Sequence, residues 1–485
     1  MIELTPTRFK FPPASHQLRG IRALVEKPNY GLFWEPRLRK SSTVINAACF
    51  LFEAGVIDTV VVVCPAQVKA VWRDKELGEI QKHCFVPVAV LDYKGSHEGW
   101  LGPEGYWLTF IVTSYEFLRQ EDAQGRFPKV ELLKKALENR KAWLVCDESS
   151  ALGNRNALQT RAVLELRKSC QRATLLTGTP VGNSPLELYS QFQVLDERIL
   201  RLPNYWAFRN KYTVRGGFKG REVVGYRNLE DLTARTRDHC EYLEQRDCPE
   251  LDLREPESTF LTVPLSKGTW RVYCQLRDEL VARLDSGELE VTNAAVAALR
   301  LAQVCTGFVG GVDDEVTGEK KVIELSDETL KAFSAWLEEQ LEREPDFKCV
   351  VWCRFRSELE RLVKREACEA YVYGGKKMNL DWLHPDSNYQ GPLVCAAQPQ
   401  AGGFGLNLSR ASTNVFLSRD YNRINNRQAE ERIKAPGHPV FSVDFLATGP
   451  DGERTVAWDV RKSLESKDDV AKRTVKDWKK VLMEA

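Results

Sequence analysis

Short apolar runs that alternate with amphipathic stretches constrain the fold of this chain most strongly. Early in the sequence these runs are Gly31–Trp34, Val60–Pro65, Val86–Leu91, Phe110–Tyr115, Trp143–Glu148 and Ala173–Thr177. The pattern returns later as Cys349–Cys353, Ala370–Tyr373, Leu393–Ala397, Asn414–Ser418 and Phe441–Leu446. Runs that are apolar on both faces and separated by helices are typical of parallel sheets covered on both sides. The sequence therefore predicts an α/β fold with two such lobes.

The stretch between the two sets of runs has a different texture. It begins with aromatic and basic residues and continues with helical patterns such as KGTWRVYCQLRDELVARL. A chain of 485 residues is too long for one hydrophobic core. We therefore predict a first lobe over residues 1–199, a basic and aromatic hairpin with a mostly helical insert over 200–322, a second lobe over 323–450 and a C-terminal helical tail over 451–485.

Composition limits the partners and the compartment. The net charge is +1, so a nucleic-acid surface must be a local stripe of basic residues. No stretch reaches the roughly 18 consecutive apolar residues of a membrane span, and the start MIELTPTRFKFPPAS has no signal-peptide pattern. The 13 cysteines form no Cys-x-x-Cys pair, and the six histidines lack zinc-ligand spacing to them. We expect free thiols in a reducing cytoplasm and no membrane contact.

Two adjacent carboxylates follow a buried strand in WLVCDES, Trp143–Ser149. In nucleotide hydrolases a strand end delivers one acid to Mg²⁺, and the next acid polarises the attacking water. The alternative for an isolated Asp147-Glu148 pair is a helix cap or a surface pair. A second apolar strand, ATLLTGTP over Ala173–Pro180, also ends in hydroxyl groups around a glycine, which favours the hydrolase interpretation.

The stretch GLFWEPRLRKSST, Gly31–Thr43, has the context of a phosphate-binding loop. A short strand precedes Lys40-Ser41, and a helical pattern follows. In such a loop Lys40 reaches the β- and γ-phosphates, Ser41 holds Mg²⁺, and the helix N-terminus offers amides to the anion. In the late region a glycine-rich loop, Gln398–Leu408, is followed by a charged segment, Arg427–Ile433. An Arg from a second lobe can stabilise charge in phosphoryl transfer, although a lone Arg is usually a solvated residue.

Together these motifs resemble the superfamily 2 helicases, and above all the Swi/Snf-type ATP-dependent DNA translocases in their compact phage and bacterial forms. The resemblance covers nearly the whole chain. The segments that carry it, in chain order, are His16-Gln17, Arg37–Ser41, Val62–Pro65 with Trp72, Ile111–Tyr115, Asp147–Ser150, Thr177–Pro180, Arg300–Val309, Val350–Phe355, Gly402–Leu408 and Gln428–Arg432.

The resemblance implies two RecA-like lobes with ATP and Mg²⁺ in the cleft and duplex DNA lying across both lobes, without sequence-specific readout. It implies the catalytic residues Asp147, Glu148, Arg432 and Gln428. It implies nucleotide binding by Gln17, Arg37, Arg39, Lys40, Ser41 and Gly405, with Ser41 and Asp147 as the Mg²⁺ ligands. It also implies DNA binding by Thr113, Ser114, Lys211, Arg215, Lys219, Arg221 and Arg354.

This sequence departs from the family pattern at two places. The two glycines of the usual Gly-x-Gly-Lys-Thr loop are Arg37 and Arg39, and the second arginine of the last motif is Ala435. Glycine lets the backbone adopt positive φ close to the phosphates, which a Cβ penalises, although arginine adds positive charge. Three hypotheses stay open: a DNA-translocating ATPase, a helicase-like scaffold that binds DNA or a protein without useful hydrolysis, and an RNA-directed helicase. The Asp-Glu-Ser-Ser box and the large insert count against the third.

A basic and aromatic segment, Tyr205–Arg227, is the predicted nucleic-acid surface. Its glycines indicate a β-hairpin. Basic side chains there neutralise phosphates, and rings either stack on bases or pack beneath the hairpin. The alternative is an ordinary hairpin with core aromatics and solvated charges.

Overall fold

The computed structural model describes residues 8–75, 78–95, 106–182, 184–216, 222–285, 291–313, 320–402, 406–420, 422–462 and 464. The chain divides into two compact units, one up to Leu251 and the other from Asp252 onwards.

The first unit alternates strands with helices. In chain order its elements are α1 (Ser15–Glu26), β1 (Asn29–Trp34), α2 (Lys40–Glu53), β2 (Thr59–Cys64), α3 (Lys69–Arg73), α4 (Glu79–His83), β3 (Val88–Asp92), β4 (Leu108–Ser114), α5 (Tyr115–Leu118), α6 (Pro128–Ala136), β5 (Ala142–Asp147), α7 (Leu158–Arg167), β6 (Arg172–Leu176), α8 (Glu187–Asp196), α9 (Tyr205–Tyr212), β7 (Thr213–Gly216), β8 (Glu222–Tyr226), α10 (Leu229–Thr236) and β9 (Cys240–Leu243).

Seven parallel strands form the sheet of this unit in the order β3-β4-β2-β5-β6-β1-β9. Its central strands are buried on both faces, as the runs TVVVVC in β2 and AWLVCD in β5 predict. The sheet order makes β5, β6 and β1 direct neighbours. Because parallel strands end at the same edge, the segments that follow these three strands are neighbours too.

The second unit has the same kind of architecture. Its elements are β10 (Glu257–Pro264), α11 (Lys267–Asp285), α12 (Val291–Cys305), β11 (Phe308–Asp313), β12 (Lys320–Glu324), α13 (Glu328–Arg343), β13 (Lys348–Trp352), α14 (Arg356–Arg365), β14 (Ala370–Tyr373), β15 (Lys376–Met378), β16 (Leu393–Ala397), α15 (Pro399–Gly402), β17 (Thr413–Phe416), α16 (Arg423–Glu430) and β18 (Phe441–Thr448).

The sheet of the second unit has the order β10-β18-β17-β13-β16-β14-β15. Six strands are parallel, and only the edge strand β15 runs antiparallel to its neighbour. Buried side chains of the central strands pack on both faces of this sheet. The two parallel-sheet α/β units confirm the predicted fold class.

The stretch predicted as an insert contributes to both sheets. It contains the expected helices α9 to α12, but β9 pairs with β1 of the first sheet and β10 pairs with β18 of the second. The approach of β9 to β1 is close at Gly31, where an added Cβ would lie 3.2 Å from the Cβ of Cys240. The first unit therefore extends in sequence as far as Leu251. Most of the predicted tail, from residue 465 onwards, lies outside the described residues.

The segment Tyr205–Arg227 is not one hairpin, contrary to the prediction. Tyr205–Tyr212 is helix α9, whose N-terminus is capped by the side chain of Asn204. Only the following part is a hairpin, formed by the antiparallel strands β7 and β8. The buried rings of Phe208 and Tyr212 explain the difference, since a spacing of four residues places them on one face of a helix.

Candidate functional site

The predicted phosphate loop, the Asp-Glu pair and the Thr-Gly-Thr-Pro segment follow β1, β5 and β6, so they lie at one edge of the first sheet. The approach between two of them is close, because an added Cβ on Gly178 would lie 2.8 Å from Cδ of Pro36. A buried glutamine links the other pair: Ser149 Oγ donates to Gln191 Oε1 at 3.1 Å, and Gln191 Nε2 donates to the carbonyl of Pro180 at 2.6 Å.

The backbone of the phosphate loop is left-handed at both arginines. Arg37 has φ 66° and Arg39 has φ 56°. These are the two positions where the family pattern has glycine, so the loop has not relaxed to negative φ after the exchange. Each left-handed residue with a Cβ costs about 1–2 kcal/mol. The loop keeps a conformation that suits glycine although arginine occupies both positions. Contacts with the surrounding structure must therefore offset the conformational cost.

Lys40 begins α2 and folds back over its own loop. Its Nζ donates to the carbonyls of Trp34 at 2.8 Å and Glu35 at 3.2 Å. The Ser42 and Thr43 hydroxyls donate to the carbonyl of Arg39 at 3.0 Å and so fix the turn into the helix. Ser41, the predicted Mg²⁺ ligand, is half-buried at the same turn.

The last residue of β9 and the residues after it support the loop. The amide of Glu35 donates to the carbonyl of Leu243 at 2.9 Å, and the amide of Gln245 donates to Glu35 Oε2 at 2.8 Å. Gln245 Nε2 also donates to the carbonyl of Pro36 at 3.0 Å. This support was not predicted, because the sequence pattern placed residues 240–245 in the insert. The short segment CEYL, Cys240–Leu243, in which apolar residues flank one glutamate, was the available signal.

The predicted adenine-recognition pair, His16-Gln17, is buried in α1. Gln17 Nε2 donates to Ser42 Oγ at 3.0 Å, while its Oε1 accepts from the amide of Ala14 at 3.0 Å. His16 Nε2 lies 3.2 Å from the carbonyl of Leu38, which can only accept, so this nitrogen is the donor of that hydrogen bond. The pair therefore connects α1 to the phosphate loop and to α2. Base recognition by Gln17 would require an exchange of these hydrogen bonds.

Asp147 is held in a fixed orientation at the end of β5. One carboxylate oxygen accepts from the indole N–H of Trp72 at 2.8 Å, and the other accepts from the amide of Glu148 at 3.0 Å. The Tyr115 hydroxyl donates to the Asp147 carbonyl at 2.9 Å. Glu148 has φ 51°, a strained backbone of the kind found where a side chain is aimed at a reacting group. The Trp72 donor was not foreseen, since nothing local in sequence relates it to Asp147.

The groups at this edge fit a nucleoside triphosphate with Mg²⁺. Lys40 offers a cation for phosphate oxygens, and Ser41 and Asp147 offer oxygen ligands of the kind that Mg²⁺ prefers. Glu148 offers a second carboxylate beside them. The fit rests on the fixed orientation of the Asp147 carboxylate and on the retained loop conformation.

A different group of ligand-type side chains lies where α1 contacts the loop. Among the described residues, His16, Cys248 and Glu250 are the one set of at least three whose ligand atoms all lie within 4.8 Å of one another. Burial, followed by the nearby Glu250 carboxylate, raises the pKa of the Cys248 thiol to about 11. A neutral thiol is a poor zinc ligand. We therefore interpret this group as packing that holds residues 248–250 against α1.

The predicted DNA-binding residues of the first unit differ in exposure. Thr113 is fully buried, and the Ser114 hydroxyl caps α5 by accepting from the amide of Phe117 at 3.2 Å. Neither hydroxyl is exposed to a phosphate in this conformation. Lys211 forms an ion pair with Asp231 at 2.8 Å, whereas Arg215 is exposed on β7. Lys219 and Arg221 lie outside the described residues.

Within the second unit, the last two predicted motifs are in contact. The amide of Leu408 donates to the carbonyl of Arg432 at 3.0 Å, and Arg432 Nη1 lies 3.4 Å from the carbonyl of Leu406. Gln428 is buried on α16, and among the described residues its Oε1 has no hydrogen-bond partner. Arg354 is mostly buried, 3.8 Å from Asp420. Gly405 lies outside the described residues.

The chain is similar to several known proteins. Residues 16–307 match the SNF2-related domain. "Putative protein p41" of Acyrthosiphon pisum secondary endosymbiont phage 1 is 26% identical over 324 residues, which cover 63% of this chain and 66% of that protein. "Probable ATP-dependent DNA helicase CHR12" of Arabidopsis thaliana is 23% identical over 453 residues, 87% of this chain and 38% of that protein.

The chain thus spans less than two thirds of the length of these relatives. Among solved structures, the Sulfolobus solfataricus SWI2/SNF2 ATPase core in complex with dsDNA aligns with a TM-score of 0.42 and 18% identity, covering 92% of this chain and 90% of that one. Within the described part of the chain, no helix combines the length and the apolar character that crossing a bilayer would require.

Proposed function

The chain belongs to the SNF2-related family, and from this premise we propose that it hydrolyses ATP and uses the energy to move along DNA. The observation that carries the proposal is the edge of the first sheet, where Lys40, Asp147, Glu148 and the Thr177–Pro180 segment follow three adjacent parallel strands. Ligands of open α/β sheets bind outside the carboxyl ends of the strands.

Each residue at this edge has a role that suits its chemistry. Lys40 neutralises charge on the phosphates, with Arg37 and Arg39 beside it. Ser41 and Asp147 hold Mg²⁺, which supplies charge neutralisation when it is bound. Glu148 orients and deprotonates the attacking water. Lys40 must leave its two carbonyl partners to reach a phosphate, so ATP binding and loop rearrangement are coupled.

The remaining roles come from the family resemblance. Arg432 and Gln428 of the second unit stabilise the transferred phosphoryl group and position the water, and Gly405 belongs to the loop beside them. Gln17 reads the adenine after its hydrogen bond to Ser42 is released. An arginine that stabilises phosphoryl transfer is worth about 10³–10⁵ in rate where it is the main one.

Movement along DNA requires contacts to the sugar–phosphate backbone rather than to base edges. We assign these contacts to Lys211, Arg215, Lys219, Arg221 and Arg354, with Thr113 and Ser114 contributing after a local rearrangement at the end of β4. Phosphate contacts position a protein without reading sequence. Binding to duplex DNA should therefore be independent of sequence and weaken steeply with salt.

A scaffold without useful hydrolysis is the second candidate. Three observations favour it. Arginines occupy both glycine positions of the loop, and Lys40 donates to carbonyls of its own loop. Ala435 removes a second arginine from the last motif. In this alternative, the second lobe and the hairpin bind DNA or a protein and the nucleotide site is silent.

The deciding experiment measures steady-state ATP hydrolysis with and without duplex DNA for the wild-type chain and for Glu148→Gln. The matched control is Glu131→Gln, which changes an exposed glutamate on α6 of the same unit. DNA-stimulated turnover that is lost in Glu148→Gln and kept in Glu131→Gln supports the motor. DNA binding without turnover above the Glu148→Gln level supports the scaffold.

We also propose that the protein works inside the cell. All thirteen cysteines are free and eleven of them are buried. Free buried thiols are typical of proteins in a reducing compartment.

A further inference from the structure

A cluster of aromatic and guanidinium groups lies on the surface of the first unit. We call it the Trp206 platform and define it by Arg155, Tyr205, Trp206 and Arg209. The Arg155 guanidinium lies 4.4 Å from the ring centroid of Tyr205 and 5.9 Å from that of Trp206, and the Arg209 guanidinium lies 5.7 Å from that of Trp206. More than half of the Trp206 side chain, 54%, remains exposed. The platform is therefore an open aromatic face bordered by two cations.

The exposed indole projects from a helix that is firmly anchored. Phe208 and Tyr212 on the same helix are completely buried and pack on each other with centroids 4.8 Å apart. Tyr189 of α8 packs against both Tyr205, at 5.3 Å, and Phe208, at 5.2 Å. The backbone beneath Trp206 is thus fixed by packing, and little conformational freedom of α9 would be lost on binding. Preorganisation of this kind favours affinity.

The surroundings of the platform select an anionic partner. Besides Arg155, the described part of the segment from Asn204 to Arg227 contributes four cationic residues, Arg209, Lys211, Arg215 and Arg227, against the single acid Glu222. The ion pair of Lys211 with Asp231 removes one of these charges from the count. The excess of positive charge beside an open indole matches a chain that carries both phosphates and flat rings.

We propose that the Trp206 platform binds an unpaired base of DNA, with the indole stacked on the base and Arg155 on a flanking phosphate. The inference rests on the proposed DNA-translocating function and narrows its substrate to DNA with a single-stranded segment, such as a tail or a junction. Inside a duplex both faces of a base are covered by its neighbours, so only an unpaired base can stack on a protein ring. Stacking tolerates any base, which agrees with binding that does not read sequence.

The platform is also connected to the chemistry of the first sheet. The short helical segment Ser149–Leu152 begins directly after Glu148, and Arg155 lies in the turn that follows this segment. Ser190 of α8 donates to the carbonyl of Leu152 at 2.6 Å, and α8 also carries Tyr189 beneath the platform. A base stacked on Trp206 would therefore lie beside Arg155, which follows Glu148 by seven residues.

The test compares two fluorescently labelled DNAs, a blunt duplex and the same duplex with a single-stranded tail, by anisotropy titration. We compare wild type with Trp206→Ala and Trp206→Phe. The matched control is Trp107→Ala, because Trp107 is a similarly exposed indole elsewhere on the first unit, at 49% exposure. Trp206→Ala should weaken binding of tailed DNA by roughly 5- to 150-fold, the range for loss of one base stack. Trp206→Phe should recover most of that loss, and Trp107→Ala should match wild type.

The salt dependence separates the two parts of the platform. Arg155→Ala should lower the slope of log affinity against log salt by about one for tailed DNA, whereas Trp206→Ala should leave the slope unchanged. An equal loss on both DNAs with Trp206→Ala, or no loss on either, overturns the inference. The inference is also overturned if Trp206→Ala abolishes binding of a protein partner but leaves the affinity for tailed DNA unchanged. If wild type hydrolyses ATP on blunt duplex but gains nothing from the tail, this inference fails and the proposed function stands. If wild type binds neither DNA, both fail.

Discussion

Replacing the two loop arginines by glycine should stabilise the first unit. Arg37 and Arg39 have φ 66° and 56°, in the left-handed region. That conformation costs a residue with a Cβ about 1–2 kcal/mol, and glycine does not have this cost. Glycine instead loses about 0.5–1 kcal/mol more conformational entropy on folding. The net gain is about 0.5–1 kcal/mol per position, or about 1–2 kcal/mol for the pair.

The comparison that isolates the backbone is the glycine pair against the alanine pair. Both pairs lose the guanidinium groups, but alanine keeps its Cβ and therefore the left-handed penalty. Arg201 is the matched control outside the loop, because it is an exposed arginine with φ 51°. Arg201→Gly should be more stable than Arg201→Ala by the same free energy per position as the glycine pair over the alanine pair. It should leave ATP hydrolysis unchanged.

Urea denaturation of the full chain, followed by circular dichroism and tryptophan fluorescence, measures these differences in the free energy of unfolding. A glycine pair no more stable than the alanine pair would refute the strain argument. Titration with a fluorescent ATP analogue then tests the side chains. If the guanidinium groups bind phosphate, both pairs should weaken binding by about tenfold or more. If the two arginines do not contact the phosphates, the variant with two glycines should bind and hydrolyse ATP at least as well as wild type.

Three further substitutions test other parts of the structure. Gly178→Ala adds a methyl group 2.8 Å from Cδ of Pro36 in the phosphate loop. It should lower the free energy of unfolding, measured in urea, by about 1–3 kcal/mol and should slow ATP hydrolysis. If stability and hydrolysis were both unchanged, the loop would move aside at no cost. Trp72→Phe removes an indole donor from Asp147 and should lower both stability and kcat, whereas Trp143→Phe, which removes an indole donor from a threonine, should lower stability alone. Burial raises the pKa of Glu358 from 4.5 to about 7, so its ionisation opposes folding as the pH rises through this window. Glu358→Gln should therefore stabilise the second unit by on the order of 3 kcal/mol at pH 8 and have little effect near pH 4.5; equal thermal shifts at both values would contradict the buried-carboxyl explanation.

The strands at the proposed nucleotide-binding edge were predictable because their environment is simple. β1, β5 and β6 are covered on both faces, so each reads as an unbroken apolar run whose end falls within a residue or two of the observed end. The residues that follow these strands were placed at one edge by the parallel arrangement alone. The positions of Asp147 and Lys40 at this edge were therefore predictable without any side-chain geometry.

The side chains that orient the site were not predictable in the same way. Trp72 reaches Asp147 across 75 positions of sequence, and Gln245 reaches Glu35 across 210. A single hydrogen bond leaves no periodic trace, so local pattern cannot reveal it. Helix α9 is a different case, because the helical spacing of Tyr205, Phe208 and Tyr212 is present in the sequence, whereas the hairpin was predicted from the glycines alone.

The late return of β9 to the first sheet has a consequence for how the protein is made. β1 pairs with β9 along its outer edge, and β9 follows it by about 200 residues of chain. At a synthesis rate of about 5–20 residues per second, that edge stays unpaired for roughly 10–40 s after β1 leaves the ribosome. An open parallel edge is a place where nascent chains pair with one another. The phosphate loop at the end of β1 therefore receives its support among the last parts of the first unit, and expression at a slower rate prolongs the interval in which the chain is open to aggregation.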